Sequence, residues 1–326
     1  MPILVTGAAG FIGYHVSEAL LARGEEVVGV DNVNDYYDVN LKRDRLERLQ
    51  KHNGFNFHRV DISDFVAMKG VVAGAGDLRR VIHLAAQAGV RYSIENPFAY
   101  VQANLVGHMS ILEICRNQPN FENLVYASSS SVYGGNTKLP FSVDDRTDTP
   151  VSLYAATKKA DELMSHCYGH LYGFPQTGLR FFTVYGPWGR PDMAMYIFCK
   201  AISEGRAVPV YNNGDMKRDF TFIDDIVAGV IASLDNPSVS ANGQAPCRLY
   251  NIGNHRSEPL MRMIGLIEEA LGKKAEIDFQ PMQPGDVKES FADIDSISTD
   301  LGYKPTTPID VGVPKFVDWF KAYEGI

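Results

Sequence analysis

The stretch ILVTGAAGFIGYHVSEALLARG, residues 3–24, decides the fold of this chain. A short apolar run leads into a glycine-rich turn, and apolar residues at helical spacing then continue to a further glycine. This pattern predicts a buried strand over 3–7 and a helix over 11–24. The turn that joins them carries Gly7, Gly10 and Gly13.

The three glycines are spaced as in a loop that binds a dinucleotide. The first permits a tight turn, the second lets the backbone approach a pyrophosphate, and the third lets the helix lie against the strand. Free N–H groups and the helix dipole favour an anion at the helix N-terminus, so Phe11 and Ile12 belong to the predicted contact. A glycine triplet alone is weak evidence, and its place between strand and helix strengthens the prediction.

The second predicted strand, 25–31, ends in an acidic residue, Asp31. A carboxylate at this position accepts hydrogen bonds from a ribose 2′-hydroxyl and repels a 2′-phosphate, which favours NAD over NADP. Asn32 follows directly and is assigned to the same contact. Asp61 and Ile62, which follow the third strand, are predicted to flank the adenine.

Strand and helix patterns alternate along the chain. Further buried strands are predicted at 79–86, 123–129 and 248–254, and further helices at 96–117 and 260–272. Alternation of this kind indicates an α/β fold, a doubly wound parallel sheet of the Rossmann type with helices on both of its faces.

Gly/Pro-rich loops become frequent after about residue 185, which suggests a second, smaller unit. We expect an NAD-binding domain over 1–180, with returns of the chain to it near 218–232 and 248–254. A smaller C-terminal α/β domain over 181–326 would mainly bind the substrate.

Composition limits the partners. The 326 residues carry 31 basic and 39 acidic side chains, a net charge of -8, which disfavours nucleic acid and anionic membranes. No apolar run reaches the length of a membrane span, and the chain enters a strand at once, which leaves no room for a signal peptide. The irregular spacing of the cysteines argues against zinc and predicts free thiols in a cytoplasmic protein. They are Cys115, Cys167, Cys199 and Cys247.

The run YASSSSVYGG (126–135) and the motif YAATK (154–158) carry the predicted chemistry. Tyr154 and Lys158 lie four residues apart, on one face of a helix. An adjacent ammonium stabilises a phenolate, so Tyr154 is predicted to act as a general base. Ser129 lies just beyond the end of a strand, where open α/β sheets bind their ligands, and would orient the substrate oxygen.

Together these motifs resemble the extended short-chain dehydrogenase/reductase family, specifically its nucleotide-sugar epimerases, nearly end to end. The resemblance implies a catalytic triad of Ser129, Tyr154 and Lys158, tightly held NAD and frequently a homodimer. The run HLAAQAGVRYS (83–93) is similar to the family's loop beside the cofactor phosphates, and Asn104 to a helix residue near the site. The loop residues assigned to the cofactor are Leu84, Ala85, Ala86 and Gln87.

The serine run separates the possible reactions. Related 4,6-dehydratases and decarboxylases carry an acidic residue just after the catalytic hydroxyl, whereas this chain has Ser130 and Ser131 there. The missing acid favours simple withdrawal and return of a hydride, which is epimerisation.

The loop from Thr183 to Met193 is similar to the one in UDP-glucuronate 4-epimerases, whereas UDP-galactose 4-epimerases have Asn near Thr183 and lack PWGRPDM. Arg190 would offer a planar charged fork to a substrate carboxylate. Thr183, Met193 and the serines would complete that end of the site.

The resemblance also suggests how the UDP end is held. Arg218 is similar to the family's diphosphate-binding arginine. The motif QPGD places Asp286 at the position that contacts a ribose, and Gln283 stands where many relatives have Arg. Arg91 is a second candidate for an anion contact, and an exposed structural role fits it almost as well.

The predicted reaction is therefore NAD-dependent C4 epimerisation of UDP-glucuronate to UDP-galacturonate, with no metal. Two other enzyme activities remain open: 4-epimerisation of neutral UDP-hexoses or N-acetylhexosamines, and decarboxylation of UDP-glucuronate. A catalytically silent NAD-binding protein is disfavoured, because the Ser, Tyr and Lys of the triad are all present.

Overall fold

A computed structural model describes residues 1–240, 243–283 and 286–326. Its strands, in chain order, are β1 (Ile3–Thr6), β2 (Val27–Asp31), β3 (Phe55–Arg59), β4 (Arg80–His83), β5 (Asn123–Ser129), β6 (Gln176–Phe181), β7 (Thr183–Tyr185), β8 (Val208–Tyr211), β9 (Lys217–Arg218), β10 (Phe220–Phe222), β11 (Cys247–Ile252), β12 (Glu258–Pro259), β13 (Ile277–Gln280) and β14 (Glu289–Ser290).

Helices connect most of these strands. They are α1 (Phe11–Ala22), α2 (Val39–Leu49), α3 (Phe65–Ala75), α4 (Tyr92–Glu95), α5 (Pro97–Tyr100), α6 (Gly107–Arg116), α7 (Leu153–Tyr172), α8 (Ala194–Ser203), α9 (Ile223–Asp235), α10 (Leu260–Leu271), α11 (Asp295–Leu301) and α12 (Ile309–Glu324). A π-helical segment, Val101–Val106, joins α5 to α6, and a 3₁₀ turn, Ser130–Tyr133, follows β5.

Seven parallel strands form the main sheet in the order β11-β6-β5-β4-β1-β2-β3. The predicted doubly wound parallel sheet is thereby confirmed. The chain leaves β1 in one direction to build β2 and β3 and then crosses to the other side for β4. Ligands bind in such sheets where the order reverses, beyond the carboxyl ends of the strands.

The sheet is buried on both faces, as its apolar strands predict. Ile3 and Val5 of β1 point into one hydrophobic cluster, and Leu4 between them points into another. Successive side chains of a strand alternate between faces, so each face of the sheet packs against its own helices.

The smaller strands lie after β6. β7 pairs with β10, β8 pairs with β13, and β9 pairs with both β12 and β14. β11 then returns to the edge of the main sheet beside β6. The chain thus crosses back to the sheet after building part of the second unit.

In the described residues, helices long and apolar enough to cross a membrane are absent. The same part of the chain contains no cluster of three or more His, Cys, Asp or Glu side chains placed to hold a metal ion.

Candidate active site

A single cleft of about 870 Å³ lies at the carboxyl ends of the main strands. It brings together the predicted site residues with two exceptions, Asn104 and Gln283. The predicted residues that line it are Gly7, Gly10, Phe11, Ile12, Gly13, Asp31, Asn32, Asp61, Ile62, Leu84, Ala85, Ala86, Gln87, Arg91, Ser129, Ser130, Ser131, Tyr154, Lys158, Thr183, Arg190, Met193, Arg218 and Asp286.

The turn between β1 and α1 is shaped by glycines that have no room for a side chain. Gly7 has a φ of +75°, and a Cβ there would lie 2.8 Å from the backbone nitrogen of Ala85. A Cβ on Gly13 would lie 2.0 Å from the carbonyl oxygen of Gly7. Gly10 begins α1 without a side-chain cap, so the helix N-terminus faces the cleft with backbone N–H groups alone. This arrangement fits the pyrophosphate of a dinucleotide.

Asp31 ends β2 beside this turn. Its carboxylate accepts hydrogen bonds from the backbone nitrogens of Val33 at 2.8 Å and Ala9 at 3.1 Å. Burial raises the pKa of Asp31 above its ordinary value, although these bonds and the charge of Lys42 oppose that effect. A buried carboxylate that lines the cleft fits a ribose with two free hydroxyls better than a ribose phosphate.

Two asparagines brace the predicted cofactor end of the cleft. Asn32 donates to Asp61 at 2.8 Å. Asn104, on the π-helical segment, accepts from the backbone nitrogen of Gln87 at 2.8 Å and donates to Thr157 of α7 at 3.0 Å. Asn104 therefore ties the loop after β4 to the helix that carries Tyr154 and Lys158.

Lys158 is held by an acidic residue that the sequence reasoning missed. Its ammonium lies 2.6 Å from Asp161 Oδ2, and the two side chains are 4% and 1% exposed. Burial raises the pKa of Asp161 to about 6, even though Lys158 favours the ionised carboxylate. The spacing of three residues along a helix was the available signal.

All four residues of the serine run line the cleft, and one of them also secures the fold. Ser128 donates to Glu162 at 2.7 Å, and this buried carboxylate also accepts from Arg180 Nε at 2.8 Å. Ser129 Oγ accepts from the backbone nitrogen of Ser131 at 3.2 Å and lines the cleft. Ser129, at the end of β5, thus presents its hydroxyl to the cleft, whereas the hydroxyl of Ser128 is used to secure β5 to α7 and β6.

Arg190 also lines the cleft, within the loop that follows β7. Its guanidinium forms a paired contact with Asp192, in which Nε donates to Oδ1 at 2.9 Å and Nη2 donates to Oδ2. Burial opposes the charge on Arg190, yet Asp192 keeps the pKa of that guanidinium above its ordinary value. Asp192 belongs to the PWGRPDM motif, but the motif alone does not indicate its contact with Arg190.

The same loop is fastened to the predicted cofactor half by a buried arginine. Arg45 donates to the carbonyl oxygen of Ala9 in the glycine turn at 2.9 Å and to that of Trp188 at 2.6 Å. The guanidinium of Arg45 therefore joins the two loops that border the cleft.

The predicted UDP-binding residues meet at a third side of the cleft. Arg91 donates to Asp286 at 3.0 Å, and its guanidinium lies 4.7 Å from the centre of the Tyr211 ring, an aromatic residue that the motifs did not indicate. Burial lowers the pKa of Arg218, which donates to the carbonyl oxygen of Lys217 at 2.8 Å.

The QPGD motif is only partly described. The backbone nitrogen of Asp286 donates to the carbonyl oxygen of Gln283 at 3.2 Å. Pro284 and Gly285, which lie between them, fall outside the described residues.

The family described as GDP-mannose 4,6 dehydratase matches residues 4–316. UDP-glucuronate 4-epimerase 3 of Arabidopsis thaliana is 47% identical over 331 residues, which cover 98% of this chain and 76% of that relative. A crystal structure of UDP-glucuronic acid 4-epimerase from Bacillus cereus, in complex with UDP-glucuronic acid and NAD, superposes with a TM-score of 0.89 at 35% identity and covers 99% of this chain and 100% of that one.

UDP-glucose 4-epimerase from Thermotoga maritima, in a structure with UDP-glucose, superposes with a TM-score of 0.88 at 27% identity, covering 99% of this chain and 100% of that one. The fold is thus shared by epimerases of charged and neutral sugars, and the overall superposition does not separate them.

Proposed function

The chain belongs to the GDP-mannose 4,6-dehydratase family of short-chain dehydrogenase/reductase-type enzymes, and from that premise we propose that it interconverts UDP-glucuronate and UDP-galacturonate. It is an epimerase that uses NAD, as the sequence predicted. The family takes its description from a dehydratase, but Ser130 and Ser131 stand where dehydratases carry an acidic residue. Inversion at C4 without loss of water fits this site better.

One observation carries the proposal. The glycine turn, Tyr154 and Arg190 all line the same cleft. A dinucleotide on the glycine turn and a uronate sugar between Tyr154 and Arg190 would therefore share a single enclosed space. A 4-epimerase needs this arrangement, because the sugar must stay beside the cofactor while it turns.

The cleft residues divide the chemistry among them. NAD, when bound, supplies an acceptor that takes a hydride from C4 of the sugar and returns it. Tyr154 as the phenolate takes the proton of the C4 hydroxyl and gives it back after the ring has turned. Lys158 stabilises that phenolate by its charge, and Ser129 donates a hydrogen bond to the C4 oxygen.

The carboxylate of the substrate needs its own restraint. Oxidation at C4 gives a β-keto acid, which loses carbon dioxide readily when the carboxylate stands perpendicular to the ketone. Arg190, with Thr183 and the serines of the 3₁₀ turn, would hold the carboxylate away from that geometry. Arg218, Arg91 and Asp286 would hold the UDP end.

The test is to incubate the purified protein with UDP-glucuronate and no added NAD, then separate the nucleotide sugars. UDP-galacturonate as the product is expected, since the cofactor should be retained. A UDP-pentose as the main product would mean a decarboxylase. If the protein leaves UDP-glucuronate unchanged but converts UDP-glucose in a parallel incubation, it belongs with the neutral-sugar epimerases.

We propose that two copies associate through α7 and the neighbouring helical segment from α5 to α6. Apolar side chains are exposed along both, including Phe98 at 84% and Leu163 at 61%. Exposed apolar patches of this kind are typical of protein contacts, and the two elements lie side by side. In a symmetric dimer, the α7 and α5–α6 surface of one copy would cover the same surface of the other.

Light scattering after size exclusion tests this dimer. The parent should have the mass of two chains, and Leu163→Lys should have the mass of one. Val311→Lys is the matched control, because Val311 is 46% exposed on α12, which packs against α8 and α10. A monomeric parent would contradict the proposal.

We further propose a cytoplasmic location, supported by four free cysteines. The division at residue 180 also remains a proposal, with residues 1–180 mainly serving NAD and residues 181–326 mainly serving the nucleotide sugar. The position of β11 in the main sheet supports a return of the chain to the first unit.

A further inference from the structure

The guanidinium of Arg190 has one edge that is already hydrogen-bonded within the protein and a second, open edge. Asp192 occupies the edge formed by Nε and Nη2. Within the described residues, Nη1 has no hydrogen-bond partner, and the side chain borders the cleft. A guanidinium carries five N–H donors, so the edge formed by its two terminal nitrogens can still accept a second carboxylate.

Asp192 is itself fixed from the cofactor half of the molecule. The hydroxyl of Tyr36 donates to Asp192 Oδ2 at 3.2 Å. Tyr36 lies in the loop after Asp31, and Lys42 secures that loop by donating to both oxygens of Asn34 at 2.7 Å. The segment that follows the ribose-binding carboxylate therefore also reaches the loop of Arg190.

A row of tyrosine rings connects this cluster to the proposed base. Arg190 lies 5.9 Å from the centre of the Tyr36 ring. From Tyr36 the ring centres step by 4.8 Å to Tyr92, by 6.2 Å to Tyr100 and by 6.0 Å to Tyr154. Arg190 and Tyr154 both line the cleft, and this row of rings packs between them.

We propose that Asp192 and Tyr36 are positioning residues that fix Arg190 so that only its open edge meets the substrate carboxylate. This inference rests on the proposed function, since it requires a uronate substrate. Asp192 holds a long side chain in one rotamer before the substrate arrives, which lowers the entropy cost of binding. It also fixes the plane in which the substrate carboxylate must lie.

A carboxylate beside a carboxylate-binding arginine could also act in the opposite sense, as a competitor for the guanidinium. The two roles predict opposite effects of removing the charge. A positioning residue improves uronate binding, so its loss raises KM. A competitor weakens uronate binding, so its loss lowers KM.

The test compares Asp192→Asn and Tyr36→Phe with the parent enzyme. For UDP-glucuronate we expect KM to rise about tenfold in Asp192→Asn and about threefold in Tyr36→Phe, in line with a charged and a neutral hydrogen bond. The proportion of UDP-pentose should rise in both. The Kd of UDP, which has no carboxylate on a sugar, should change less than twofold, so the loss is specific to the uronate.

Asp77→Asn is the matched control. It breaks another Arg–Asp pair two residues apart, Arg79 with Asp77 at 2.8 Å, near the opposite end of β4 from the cleft. Unchanged or lowered KM in both test variants, with thermal midpoints equal to the parent's, would overturn the inference. A parent that does not convert UDP-glucuronate would instead overturn the proposed function.

Discussion

The glycine turn and the loop that carries Arg190 border the same cleft but are built in different ways. The turn is shaped mainly by its own backbone, with Gly7 and Gly13 only six residues apart. Asp31 and Arg45 add hydrogen bonds to Ala9 in this turn. The substrate loop is held by partners far along the chain: His15 contacts the carbonyl of Pro187 at 2.9 Å, and Arg45 donates to that of Trp188. The proposed cofactor site is thus built mainly from neighbouring residues, whereas the proposed substrate loop depends on tertiary contacts.

The largest effect should come from the catalytic centre that both regions serve. Replacing Tyr154→Phe removes the proposed base, so kcat should fall about 10²–10⁴-fold. The amount of NAD that copurifies should stay within twofold of the parent, because the glycine turn is unchanged. If Tyr154→Phe kept more than a tenth of the parent kcat, Tyr154 would not be the general base.

The local character of the glycine turn is tested by Gly13→Ala. A Cβ would lie 2.0 Å from a backbone oxygen that cannot move aside, so we expect a loss of about 3 kcal/mol in unfolding free energy and loss of NAD. Gly265→Ala in α10 is the control. Its Cβ would meet nothing within 4 Å, so that variant should gain about 0.5–1 kcal/mol. Urea unfolding measures both, and equal stabilities would contradict this view of the turn.

The connection between the two regions is tested by Arg45→Met. This change removes the hydrogen bonds that join Ala9 to Trp188, so we expect a loss of about 2 kcal/mol in unfolding free energy. KM for UDP-glucuronate should rise as well, because the loop of Arg190 loses its anchor. Arg43→Met, an exposed change on the same helix, is the control. If KM rose in Arg43→Met and not in Arg45→Met, Arg45 would not be the anchor of the loop that carries Arg190.

The smallest expected effect is the pH dependence of the unfolding free energy that arises from the buried pair of Lys158 and Asp161. The pKa of Asp161 is about 6 in the folded chain, against an ordinary value of 3.8. Between these two pH values the folded state therefore binds a proton that the unfolded state has released. The unfolding free energy of the parent, relative to Asp161→Asn, should therefore increase by about 1–2 kcal/mol from pH 7 to pH 4.5. A constant difference between the two proteins would contradict the raised pKa.

The difference between the two regions also explains what the sequence could predict. The strand, glycine turn and helix of residues 3–24 follow from spacing alone, and β1 and α1 appear where the pattern predicts them. Tyr154 and Lys158 follow from one helical turn. All of these depend on neighbours in the chain.

Several of the residues that the sequence did not indicate act across long distances. Tyr36 reaches Asp192 over 156 positions, and Arg45 reaches Trp188 over 143. Ser128 looked like part of the reactive run, but Glu162 of α7 takes its hydroxyl. Periodicity predicts which face of an element is buried, and it carries no information about which distant side chain will meet it.

The central claim is that C4 gives up a hydride and receives the same one back within the cleft. Incubation of the enzyme with UDP-glucuronate that carries deuterium at C4 tests it directly, with mass spectrometry of the UDP-galacturonate formed. The account predicts that deuterium stays at C4 of the product and does not exchange with solvent or with added unlabelled NADH. Loss of the label to water would contradict the account, because C4 would then have exchanged its hydrogen as a proton.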